Sequence, residues 1–73
     1  MKIMTQEKDM VVDTQNADIF LDDDGAWYYV KIRKGRNMYV LGGYMNQEKA
    51  KTELTRIFAC IKSRKDVYYM SRV

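Results

Sequence analysis

Only one stretch of this chain repeats its apolar residues at helical spacing, and that limits what it can fold into. Ala50, Leu54, Ile57, Phe58 and Ile61 fall on one stripe about 100° wide when plotted around a helix. Asn46 is a good N-cap for that helix, and Glu48 places a carboxylate in its first turn. Lys62, Arg64 and Lys65 crowd its C-terminal end. Both charge placements match the helix dipole.

The rest of the chain alternates as strands do. From Ala26 to Arg33 the residues are aromatic, β-branched or basic. Trp27, Tyr29, Lys31 and Arg33 point one way, and Tyr28, Val30 and Ile32 the other. The second set is apolar and belongs to the core. Asp24-Gly25 reads as a hairpin turn before this strand, and Lys34-Gly35-Arg36-Asn37 as a second turn after it. Further strands are expected over 38–45, over 17–21 with 10–14 as its earlier part or a separate strand, over 2–5 at an edge, and over 67–70. Gly42-Gly43 is poor strand material and suggests a bulge or a close backbone approach. The predicted architecture is α+β: a small antiparallel sheet of about four to five strands with one amphipathic helix on one face, in the order strands, helix, strand. With no second helix, the other face must be wetted or covered by another chain.

At 73 residues there is room for one domain, 1–73, with a thin core. Cys60 is the only cysteine, so no disulfide forms within the chain. No histidine is present, so a Cys/His zinc cage is excluded. Efficient packing or self-association must supply the stability, which makes a homodimer an expected form. No apolar run approaches the roughly 18–20 residues of a membrane span. The start carries no secretory pattern, and the lone cysteine suits a reducing compartment, so a cytoplasmic protein is expected.

The missing histidine also removes the commonest general acid–base and triad chemistries. Cys60 reads as a small packing residue. Asp22-Asp23-Asp24 lacks the alternation and distal glutamate of a calcium loop, and reads as an exposed acidic turn. Gly42-Gly43 is followed by no phosphate-loop lysine and serine. Its N–H groups, just before the helix, would receive an anion only if they are not part of a bulge. No enzyme and no cofactor is expected.

Charge is unevenly distributed. Residues 1–30 carry two basic against seven acidic side chains, a net of −5; residues 31–73 carry eleven against three, a net of +8. Either the basic half offers a face to phosphates, or the halves neutralise each other across the sheet. The candidate binding face is Trp27, Tyr29, Lys31, Arg33, Lys34 and Arg36. Exposed aromatics among cations suit nucleic-acid or nucleotide binding, where bases stack and phosphates are neutralised. The same residue types also fill protein interfaces and dimer contacts.

Met1-Lys2-Ile3 is followed by Thr5-Gln6, then by an acidic segment ending in Asp-Gly, and later by Leu41-Gly42-Gly43-Tyr44. The helix opens Asn46-Gln47-Glu48-Lys49-Ala50, and the chain closes on Val67-Tyr68-Tyr69-Met70. Together these features resemble a group of short open reading frames common in phages and prophages of Gram-positive bacteria. The likeness is of layout and covers nearly the whole chain. It implies a small protein made inside a bacterial host, an accessory or host-takeover factor with a host protein as partner. It carries over no catalytic residues, and Trp27 and the basic Lys31–Arg36 stretch are not expected throughout the group.

Overall fold

The computed structural model describes all 73 residues, Met1–Val73. It is an α+β chain: β1 (Lys2–Met4), β2 (Val11–Asp13), β3 (Asp18–Asp23), β4 (Tyr28–Lys34), β5 (Asn37–Tyr44), α1 (Gln47–Lys62) and β6 (Val67–Tyr69). The strands–helix–strand order is as the sequence predicts. The strands, however, divide into two three-stranded sheets. One runs β3-β4-β5 and is antiparallel throughout; the other runs β2-β1-β6. In the second, β1 pairs antiparallel with β2 and parallel with β6. A parallel pairing between distant strands leaves no turn signal in the sequence, and so a single antiparallel sheet is all that local patterns show.

Both predicted turns form. Gly25 has φ +93° and Gly35 φ +61°, conformations that favour glycine. Between them, alternation places Val30 and Ile32 wholly out of solvent. On β5 the pairing slips: Lys31 faces Val40 and Val30 faces Gly42, which leaves Leu41 as the extra residue of a bulge. The bulge turns the Leu41 side chain into the core.

Helix α1 packs on the inner face of β3-β4-β5. Asn46 caps it as predicted, its Oδ1 accepting from Glu48 N at 2.7 Å. The helix ends with Arg64 at φ +57°, where Lys65 N donates to Cys60 O and Arg64 N to Ile61 O. This reciprocal pair is the Schellman arrangement, usually built on glycine.

The helix face differs from the predicted stripe. Its buried residues are Ala50, Glu53 and Ile57, while Phe58 is 62% and Ile61 41% exposed. The helix is turned toward Glu53, which makes polar contacts with the segment after α1. Phe58 and Ile61 are left in an open groove with Ile19 and Leu54, beside the edge strand β3.

One apolar cluster joins both sheets and the helix: Ile3, Val12, Val30, Ile32, Leu41, Tyr44, Ala50, Ile57 and Met70. Twelve of 73 residues are buried, as thin a core as the length implies. Gln6 ties the sheets together. Its backbone N donates to Leu41 O at 2.8 Å, its Oε1 accepts from Gly43 N at 2.8 Å, and its Nε2 donates to Arg72 O at 2.8 Å. No helix is long and apolar enough to cross a membrane.

Candidate interaction surface

The face of β3-β4-β5 away from the helix has no cover. By strand alternation it carries Asp18, Phe20 and Asp22 from β3, Tyr29, Lys31 and Arg33 from β4, and Met38 and Val40 from β5. Met38 is 52% and Val40 48% exposed. Trp27, just before β4, borders this face at 43% exposure.

Four of the six predicted face residues therefore come together: Trp27, Tyr29, Lys31 and Arg33. The other two do not. Lys34 is the last residue of β4, where alternation turns it to the opposite face, and Arg36 sits in the exposed turn beyond it.

The cations of the face are already partnered. Lys31 Nζ lies 2.7 Å from Asp22 Oδ2, and Arg33 Nη2 lies 3.2 Å from Asp18 Oδ2. Lys31 also sits 5.5 Å from the Tyr29 ring centre, and Arg33 5.7 Å from that of Phe20. The hydrogen bond from Lys31 holds the Asp22 carboxyl below its usual range. Here the acidic first half of the chain neutralises the basic second half across adjacent strands.

The acidic turn is likewise occupied with its own backbone. Asp24 Oδ1 accepts from Trp27 N at 2.8 Å and Ala26 N at 3.0 Å, and Oδ2 accepts from Tyr29 Oη at 2.8 Å. The two backbone bonds lower the Asp24 carboxyl, and the bond to Asp24 raises the Tyr29 hydroxyl. Asp23 Oδ1 accepts from Gly25 N at 3.2 Å. Asp24 thus fixes both aromatic residues at the head of the face.

Gly43 leaves room for the Tyr29 ring. The two residues are directly paired, and a Cβ on Gly43 would meet the Tyr29 ring at 3.2 Å. Gly42 has the same relation to the inner face, where a Cβ would lie 2.9 Å from Tyr44 Oη. The pair lies just beyond the Leu41 bulge with an aromatic ring over each glycine, and the Gly43 N–H, bonded to Gln6, is not free for an anion. No family model, curated protein or solved structure matches the chain. The reading of function therefore rests on the geometry.

A cleft of about 420 Å³ separates this face from the β1–β2 loop, between Trp27, Tyr29 and Val40 on one side and Gln6, Asp9 and Met10 on the other. Cys60 is half-buried on α1.

Sequence reading missed the one buried carboxylate. Glu53, with 2% exposure, accepts from Ser71 N at 2.9 Å and Tyr68 Oη at 3.0 Å, and Arg56 Nη1 stands 3.5 Å away. Tyr44 Oη donates to Ser71 O at 2.7 Å beside it. Burial and the bond to Glu53 push the Tyr68 hydroxyl up to about 12, and burial raises that of Tyr44 as well. The available signal was positional: Glu53 falls at the edge of the helical apolar stripe, one turn before Ile57.

Proposed function

We propose that this protein is a non-enzymatic binding protein that engages another protein chain through the outer face of β3-β4-β5. The supporting observation is that Lys31 and Arg33 are paired with Asp22 and Asp18 on that face. A polyanion would have to break those pairs, whereas a protein surface can bury them together with Phe20, Met38, Val40 and Trp27. Internally paired charges among exposed apolar side chains suit a protein interface better than a phosphate platform. A second copy of the chain, or a bacterial host protein of the kind the phage-type layout implies, would occupy the same face. A nucleic-acid reading that depends on Lys31 and Arg33 is correspondingly weakened.

Photo-crosslinking tests this directly. A photoreactive residue at Val40, on the outer face, is compared in bacterial cells with one at Thr52, on the exposed side of α1. Adducts from Val40 alone support the reading, and an adduct of twice the chain mass identifies self-association. Adducts from neither position, or equally from both, contradict it. Oligonucleotide affinity that falls steeply with salt and is lost in Lys31→Gln and Arg33→Gln would establish the nucleic-acid alternative instead.

A further inference from the structure

Trp27 also borders a second depression. This notch, of about 280 Å³, lies where β5 passes into α1 and the segment after β6 comes alongside. Its lining includes Trp27, Tyr44, Met45, Asn46, Lys49 and Arg72. Two features set it apart from the outer face. Its charged side chains, Lys49 and Arg72, are both cations and outnumber the main-chain carboxylate of Val73 in the same lining, and neither belongs to any of the five ion pairs in the structure. The acid nearest in sequence to Trp27, Asp24, is held by Ala26 N, Trp27 N and Tyr29 Oη.

An exposed indole beside two unpaired cations meets the two requirements of one ligand chemistry. A flat ring stacks on the indole, and an anionic group is neutralised by an ammonium and a guanidinium. The cleft on the other side of Trp27 has the opposite character, with Glu7 and Asp9 in its lining. With two cations against one carboxylate, the notch is the more favourable of the two for an anion. Its volume suits a single ring and one anionic group.

We infer that the notch formed by Trp27, Met45, Lys49 and Arg72 binds an aromatic ring carrying a phosphate, with the ring on Trp27 and the phosphate between Lys49 and Arg72. The alternative reading of the sequence offers Lys31, Arg33, Lys34 and Arg36 as phosphate contacts; the notch uses cations distant from Trp27 in sequence instead. The inference does not rest on the outer-face reading, since neither cation lies on that face. The ring phosphate could be a free mononucleotide or one unit of a single strand, and both share this chemistry.

Trp27 is the only tryptophan, so its fluorescence reports the site. The full chain is titrated with adenosine monophosphate, adenosine and inorganic phosphate, with excitation beyond adenine absorption. Saturable quenching by the monophosphate is expected, with adenosine and phosphate each weaker by about tenfold or more. Lys49→Gln and Arg72→Gln should each weaken the monophosphate by about tenfold, while Arg36→Gln, in the exposed turn, leaves it unchanged. Both notch side chains are on the surface, and an unaltered thermal melt confirms that the variants fold. A short oligoadenylate identifies the source: tighter, salt-sensitive binding assigns a strand, and weaker binding a free nucleotide. No quenching at millimolar monophosphate, equal quenching by adenosine, or quenching that survives in the double variant overturns the inference. None of these results depends on crosslinking from Val40, so the two readings stand or fall separately.

Discussion

Glu53 shows how one side chain can hold a segment of chain in place. Its carboxylate accepts from Ser71 N and Tyr68 Oη while almost wholly buried. Removing it leaves both donors without an acceptor, and such groups are costly in a poorly solvated site. Glu53→Ala should destabilise the chain by about 2–4 kcal/mol in urea melts. Glu53→Gln keeps an acceptor oxygen and should cost less. Tyr68 gives the matching pH signature. Its hydroxyl titrates near 12 in the folded chain against an ordinary value of 10.0. The unfolded chain therefore releases this proton first, and stability holds up to about pH 10 and falls as pH rises toward 12. Tyr44, raised in the same direction by burial, adds to that loss. Melts across this window, alongside tyrosinate absorbance, check it; a flat profile would contradict it. Glu53 was hard to read from sequence because its partners lie 15 and 18 residues away, and helical spacing says nothing about an acceptor needed there. Lys31 and Arg33 could be placed on a face by alternation alone. Their pairing with Asp22 and Asp18 required the β3–β4 register, which alternation does not fix uniquely.

Elements were the most legible level. The turns at Gly25 and Gly35, the cap at Asn46 and the bulge near Gly42 all follow from local chemistry and all form. The end of the helix was less so, because Arg64 occupies a left-handed position where glycine is usual. Arg64→Gly should stabilise the chain by about 0.5–1 kcal/mol, since it relieves a conformation unfavourable to side chains. The opposite sign is expected at Gly42. A methyl group there meets Tyr44 Oη at 2.9 Å, and that hydroxyl is anchored to Ser71 O. Gly42→Ala should cost about 1–3 kcal/mol by overpacking. Gly43→Ala meets a less buried ring at 3.2 Å and should cost less. Thermal melts of the three variants decide their order. The helical stripe was legible in its existence but not in its rotation: the burial of Glu53 leaves Phe58 and Ile61 at the surface.

Across the whole molecule, two small sheets share one apolar cluster and neither has a core of its own. Folding should therefore be all-or-none, with both sheets lost together. A chain ending at Asp66 lacks β6 and uncovers Ile3, which is fully buried in the complete fold. Such a chain should show no cooperative thermal transition by circular dichroism; a sharp melt would show that β3-β4-β5 and α1 suffice. The division into two sheets was hidden for the reason that makes it matter, because residues at opposite ends of the sequence meet only in three dimensions.

The placement of β1 also bears on how the protein is made. It is the middle strand of its sheet and borders β6 along its length, Lys2 to Val67, Ile3 to Tyr68 and Met4 to Tyr69. On the ribosome, the strand synthesised early must wait for one synthesised more than sixty residues later. Until β6 is made, Ile3 and Val12 have no complete site to enter, and native structure forms only once β6 has left the exit tunnel.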